Sequence, residues 1–213
     1  MKRYFDSLEN TYNITSFVTK YLFVERFDDT MSEKYINTPI TEQDIESLET
    51  GDMVYISGTI YTARDAAHKR LYEAIQAHQK IPVDLKDNII YYLGPSPARE
   101  GQVIGSAGPT TSSRMDKYTP LMLEHGLKGM IGKGKRSEQV ITSMVENKAV
   151  YFAAIGGAGA LLSKCIKKAE VIAYEDLGTE AIRKLEVEKL PVIVVIDSKG
   201  NNLYETAAEQ YRR

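Results

Sequence analysis

The sequence holds a single cysteine, Cys165. One thiol cannot close an internal disulfide, and a reducing cytoplasm is the natural setting for such a chain. The same count excludes a self-contained iron–sulfur cluster, which needs three or four thiolates. Charge of one sign is also lacking: 27 basic and 29 acidic residues leave a formal net charge of −2. That balance gives no electrostatic case for a nucleic-acid partner or for an anionic membrane surface. No stretch approaches about 18 uninterrupted apolar residues, so no membrane span is expected. The first residues have a basic start but no apolar core before their acids and amides, and do not read as a secretory signal. Without secretion, the Asn13-Ile14-Thr15 sequon carries no weight. There is no internal repeat and no low-complexity tract.

What is present suits one soluble domain with an appendage: 213 residues, 43% hydrophobic and 26% charged. Residues 1–30 mix aromatics and charges without sustained periodicity and read as an N-terminal extension to a domain over 31–213. Helical and strand patterns then alternate. "TEQDIESL" (41–48) predicts a short helix capped by Thr41, with Asp44 three residues on. "DMVYISGTI" (52–60), "NIIYYLG" (88–94), "QVIGSA" (102–107), "KGMIG" (128–132), "AVYFAAIGG" (149–157), "EVIAYE" and "VIVVIDSKG" read as strands. "TARDAAHKRLYEAIQAHQ" (62–79), "SEQVITSMVENK" and "GAGALLSKCIKKA" (157–169) read as helices, the first with Thr62 as its cap. The mixture predicts an α/β domain with a mixed, partly parallel sheet.

Three stretches place polar or cationic groups just beyond a predicted strand, where open α/β sheets bind ligands. They are "SGTIYTARDAAHKR" (57–70), "GPTTSSRMD" (108–116) and "IGKGKRS" (131–137). Arg64, Arg114 and Lys133 would converge there. The two guanidinium forks match carboxylates, and the lysine adds a point charge. Each has a bland reading beside it. The Thr-Thr-Ser-Ser run is also ordinary capping chemistry, Arg64 beside Asp65 a surface pair, and Lys133 a solvated turn. His68 is equally a structural histidine, and the glycines of "IGGAGA" (155–160) either cradle an anion or let a strand and helix pack closely. No histidines and acids have metal-ligand spacing, so no metal site is expected in this chain. Pattern alone gives an α/β domain with an anion site, and no reaction.

"SGTIYTARDAAHKR", "GPTTSSRMDKY", "KGKRSEQV", "IGGAGALL" and "VEKLPVIVVIDSKGN" stand in one order over Ile36 to Asn202. In that order the chain resembles the C-terminal domain, or separate β subunit, of class I iron–sulfur fumarate hydratases, and the related tartrate dehydratase β subunits. The resemblance implies a swivelling β/β/α layered domain that covers an active site on a partner. That partner, an α subunit, would hold a [4Fe–4S] cluster through three cysteines, its fourth iron acting as a Lewis acid on the substrate. It further implies that Arg64, Arg114 and Lys133 clamp a small dicarboxylate and that Thr110 is the catalytic base. Asp65, His68 and Thr111 would stand in support. The implied reaction is reversible hydration of fumarate to (S)-malate, with a β subunit inactive alone; the active-site face, left uncovered, would let the isolated chain self-associate. Pro120 departs from the continuous helix expected after "GPTT" and should kink it or restart it with Thr119 as a new cap. "KGKRS" favours the fumarase branch over tartrate dehydratases, while mesaconate-type substrates and a non-catalytic dicarboxylate-binding module remain as alternatives.

Overall fold

A computed structural model describes residues 33–154 and 159–210. The expectation for residues 1–30, and residues 155–158 of the "IGGAGA" turn, lie outside these. The elements are β1 (Glu33–Asn37), α1 (Glu42–Ser47), β2 (Met53–Thr62), α2 (Asp65–Gln76), β3 (Ile89–Tyr91), α3 (Thr119–Glu124), β4 (Gly129–Gly132), α4 (Glu138–Glu146), β5 (Val150–Ala153), α5 (Gly159–Leu162), β6 (Ile166–Ala173), β7 (Ile182–Ile196) and α6 (Leu203–Gln210). Three 3-10 turns lie at Ser112–Met115, Ser163–Cys165 and Glu175–Glu180. None of the described helices is long and apolar enough to cross a membrane.

Strands β1 to β5 run parallel in sequence order, and β7 is antiparallel to β5, β6 and β2. Because β7 pairs with both β2 and β5, the pairing closes on itself from β2 through β3, β4, β5 and β7 back to β2. This is the α/β class with a mixed, partly parallel sheet that the sequence predicts. Alternate strand residues sort into two cores, as the two-residue period of a strand requires. Val54, Ile56, Ile89, Tyr91, Ile131 and Val194 fall in one. Ile90, Met130 and Tyr151 fall in the other, against Ala67 and Leu71 of α2, Met122 and Leu123 of α3, and Val140 and Met144 of α4. Each such fully buried aliphatic side chain contributes about 1.5–3 kcal/mol.

Local chemistry explains where the chain agrees with its pattern and where it departs. Thr41 and Asp44 form a capping box on α1, each side chain accepting from the other's backbone N–H at 3.1 and 3.0 Å. Ser137 caps α4 from one side only, its hydroxyl accepting from the Val140 N–H. Thr62, by contrast, does not cap α2. It is the buried last residue of β2, its hydroxyl donating to the Ala181 carbonyl and accepting from the Arg183 N–H. The cap position falls to Arg64 instead, and α2 ends at Gln76, leaving His78 in the left-handed region with φ of 54°. Residues 102–107 are a loop, because Ser106 is tied back to Ser96 through backbone and side chain. Of the helix expected over 157–169, the described residues form Gly159–Leu162 and a 3-10 turn, and from Ile166 the chain is β6. The fifteen-residue β7 offers it a hydrogen-bonding ladder, and tertiary pairing overrides local spacing.

Candidate active site at the ends of the parallel strands

The carboxyl ends of β2, β3 and β4 lie side by side, the usual place for a ligand in a parallel sheet. Arg64 follows β2, Tyr92 to Gly94 follow β3, and Lys133 follows β4. The Thr110 segment is laid across these ends by main-chain bonds. The Thr110 N–H donates to the Tyr92 carbonyl (2.8 Å) and its own carbonyl accepts from the Lys133 N–H (3.3 Å). The Ser112 N–H then donates to the Lys133 carbonyl at 2.8 Å, making a bridge of Thr111 with Lys133. Thr110 is half-buried, Thr111 and Lys133 are exposed, and among the described residues nothing engages the Thr110 hydroxyl.

Ion pairs bring together a second group. Asp65, first residue of α2, pairs with Arg114 through Oδ2 and lies 3.8 Å from Arg64 Nε through Oδ1. Arg64 also pairs with Glu180, Nη2 to Oε1, at 3.2 Å. Gly94 makes room for it: a Cβ there would stand 2.5 Å from Arg64 Nη1. Two clusters thus form, Arg64–Asp65–Arg114 and Thr110–Thr111–Lys133, joined by the short segment 110–114. Among the described residues, Lys133 has no carboxylate partner.

The hydroxyl run does not cap. Ser112–Met115 is one 3-10 turn with Thr111 at its cap position, no side chain makes a capping bond there, and the Ser112 N–H donates to the Lys133 carbonyl. The buried Ser112 hydroxyl meets the Tyr151 hydroxyl at 2.9 Å, and that hydroxyl donates to the Gly134 carbonyl at 2.8 Å. The close approach depends on Gly132, where a Cβ would sit 2.0 Å from Ser112 Oγ. The chain restarts as α3 after this turn, as Pro120 requires, but Tyr118 holds the cap position. Thr119 is inside the helix, its hydroxyl donating to the Met115 carbonyl.

Sequence reasoning passed over Arg136, whose side chain is fully buried. Its Nε donates to Asp116 Oδ1 (2.7 Å) and its Nη2 to Thr119 Oγ1 (2.7 Å), while the guanidinium lies over the Tyr92 and Tyr151 rings. Asp116 also accepts from the Ser137 N–H at 2.8 Å. Arg136 therefore clamps the segment carrying Arg114 to the segment carrying Lys133. Glu180 was passed over too. The signal for Arg136 was its place in "KGKRS", read as a mark of the branch and not of the site; Glu180 had none.

His68 sits under this surface, fully buried, between the Tyr92 and Tyr118 rings. Its Nδ1 lies 2.9 Å from the Arg64 carbonyl, which can only accept, so Nδ1 carries the proton. Among the described residues Nε2 has no hydrogen-bond partner, nor do the buried Arg64 Nε and Asp65 Oδ1, which face each other at ion-pair distance only. Burial lowers the His68 pKa from 6.5 to about 4, with Arg136 adding to the effect and the Arg64 carbonyl and Asp65 opposing it. The folded chain thus resists a proton that the unfolded chain takes near pH 6.5. The stability involved is fully present above that value and is lost as the pH falls towards 4, at about 1.4 kcal/mol per pH unit. Denaturant titrations of wild type and His68→Gln between pH 6.5 and 5 should show the variant's slope shallower by about that amount. Parallel slopes would place the charged imidazole at no disadvantage.

The resemblance assigns the iron–sulfur cluster to a partner, and the described residues of this chain hold no ligand set for one. Cys165 is half-buried against the first core, and burial raises its pKa, which keeps it a neutral thiol. Among the described residues no three His, Cys, Asp or Glu side chains could hold a metal ion together.

A family profile described as "Fumarase C-terminus" matches residues 13–207, beginning earlier than the Ile36 at which the quoted motifs start. The chain is 39% identical over 174 residues to "Fumarate hydratase class I, anaerobic" of Escherichia coli, covering 80% of this chain and 32% of that protein. It is 39% identical over 164 residues to "Fumarate hydratase 2" of Leishmania major, covering 76% and 29%. It is 36% identical over 178 residues to "Putative L(+)-tartrate dehydratase subunit beta" of Methanocaldococcus jannaschii, covering 81% of this chain and 91% of that protein. The chain thus spans about a third of the fumarate hydratases it matches and most of the tartrate dehydratase subunit.

Proposed function

The chain belongs to the Fumarase C-terminus family, and on that premise we propose that it is the β subunit of a two-subunit class I fumarate hydratase. In this reading it works in the cytoplasm against an α subunit that carries the iron–sulfur cluster, and it hydrates fumarate reversibly to (S)-malate. The observation that carries the reading is the gathering of Thr110, Lys133, Arg64 and Arg114 at adjoining strand ends. A dicarboxylate brings two negative charges. Arg64 and Arg114 supply planar forks for carboxylate oxygens, and Lys133 supplies a cation free of any described acid. Hydration adds the hydroxyl of water to one alkene carbon and a proton to its neighbour. Thr110 Oγ1 is the atom of this chain assigned to that proton, taking it up in the reverse direction. A neutral threonine is a weak base, so the activating group comes from the partner side. The cationic groups offset charge building on the substrate carboxylate as the carbanion-like state forms. This chain supplies none of the cluster's ligands, and its part is to bind, orient and move the proton.

A second reading is the β subunit of an L(+)-tartrate dehydratase or of a mesaconase-type hydro-lyase, favoured by the 91% coverage of the tartrate dehydratase subunit. A third, of another class, is a non-catalytic dicarboxylate-binding module. Anaerobic reconstitution with the cysteine-bearing α chain, assayed with fumarate, tartrate and mesaconate side by side, separates them. Fumarate should be the fastest substrate, and the chain alone should be colourless and inactive. Preference for tartrate or mesaconate selects the second reading, and no turnover of any selects the third. In the active complex Arg114→Lys should lower kcat/KM on the order of tenfold, because a single ammonium cannot replace the fork. Unchanged kinetics would place Arg114 outside the site.

A further inference from the structure

Arg64 is unusual among the cations of the site in being boxed in. Its side chain is one-fifth exposed, with Gly94 beside Nη1, Asp65 3.8 Å from Nε and Glu180 3.2 Å from Nη2. Glu180 uses both oxygens: Oε1 pairs with Arg64, and Oε2 accepts from the Ala66 N–H at 3.0 Å. That second bond fills the place of the missing cap, since Arg64 at the cap position makes no capping bond of its own. One carboxylate from the turn before β7 thereby ties the guanidinium to the start of α2.

The turn itself is anchored at both ends. Arg183 donates to the carbonyls of Gly178 (2.9 Å), Thr179 (3.2 Å) and Ala181 (3.2 Å). Asp176 accepts from both terminal nitrogens of Arg70 on α2, and that guanidinium also lies over the Tyr174 ring. Glu180 is thus delivered by a strapped backbone, which suits a group that fixes another's geometry.

We propose that Glu180 is a positioning residue for Arg64, holding its fork at the orientation in which a substrate carboxylate meets it. The proposal rests on the reading of Arg64 as part of a dicarboxylate clamp. It differs from a capping role alone, because capping needs only an acceptor for the Ala66 N–H, whereas Arg64 needs the charge. Glu180→Gln separates the two, keeping an acceptor oxygen and losing the ion pair.

The test has two arms. In the full-length 15N-labelled chain, the Nη protons of Arg64, assigned with Arg64→Lys, should be resolved from one another at low temperature. They should merge in Glu180→Gln, where rotation about Nε–Cζ is released. Merged signals in the wild type, or resolved ones in the variant, overturn the proposal without reference to activity. In the reconstituted complex, Glu180→Gln should raise KM for fumarate about tenfold, corresponding to about 1.4 kcal/mol, with its thermal midpoint unchanged. A KM equal to wild type leaves Glu180 as a cap only, and a lower KM makes it a competitor of the substrate carboxylate; either overturns positioning. Arg64→Ala run beside it keeps the failures apart. If that variant binds fumarate as well as wild type, the clamp reading falls, and the resonance arm alone decides Glu180.

Discussion

Replacing Arg136 with alanine is expected to destabilise the chain by about 3–5 kcal/mol, the usual consequence of breaking a buried ion pair from one side. Asp116, Thr119 and the Tyr92 hydroxyl all lose the guanidinium at once, and a cavity opens between two aromatic rings. For a domain of this size that corresponds to a fall in melting temperature of about 10 °C. Chemical denaturation of the purified chain measures it directly. Arg136→Lys should fall between the two, since one ammonium cannot bond Asp116 and Thr119 together. A loss under about 1 kcal/mol for alanine would mean that the clamp is ornamental. The effect should reach the site as well, because the clamp joins the Arg114 and Lys133 segments. Limited proteolysis should then cut first within 108–118.

The second large effect is chemical. Thr110→Ala in the reconstituted complex is expected to lower kcat by about 10²- to 10⁴-fold, the range for a positioned proton-transfer group. KM should change little. The Thr110 main chain carries the structural load, through Tyr92 and Lys133, and alanine keeps both of those bonds. The folded state should therefore survive, with the melting temperature near that of wild type. Turnover within a few-fold of wild type would dismiss Thr110 as the proton-transfer group, and an equal rise in KM would make it a binding residue instead.

Much of the framework was legible in the sequence because it is locally determined. Thr41 with Asp44 announces its capping box, Pro120 its restart, and the Val- and Ile-rich runs their strands. The misreadings share one physical cause. Residues 157–169 carry helical spacing, yet Ile166, Lys168 and Ala169 pair with β7 residues 16 to 21 positions along the chain, beyond the reach of a helical turn. Thr62 looks like a cap until its hydroxyl finds Ala181 and Arg183. At the site, residue types named Arg64, Arg114, Lys133 and Thr110. Their mutual arrangement came from long-range contacts, Asp65 with Arg114 across 49 positions and Ala66 with Glu180 across 114. Glu180 sits in unremarkable sequence and Arg136 inside the "KGKRS" motif, and only the folded chain gives them their roles.

The closure of β7 onto both β2 and β5 has a consequence for aggregation. Closing the sheet leaves, among the described strands, only β1 and β6 with an open side. Both are guarded by charge: β1 begins Glu33-Lys34, and β6 exposes Lys167, Lys168 and Glu170. Lysines and acids on an edge strand discourage another chain from adding itself by backbone pairing. Growth of the sheet into a neighbour is thereby disfavoured, and the proposed partner-facing surface is the strand-end face, where Lys133 has no carboxylate partner among the described residues. In the proposed complex that face would engage by side-chain chemistry, which is selective, rather than by main-chain ladders, which any extended peptide can extend.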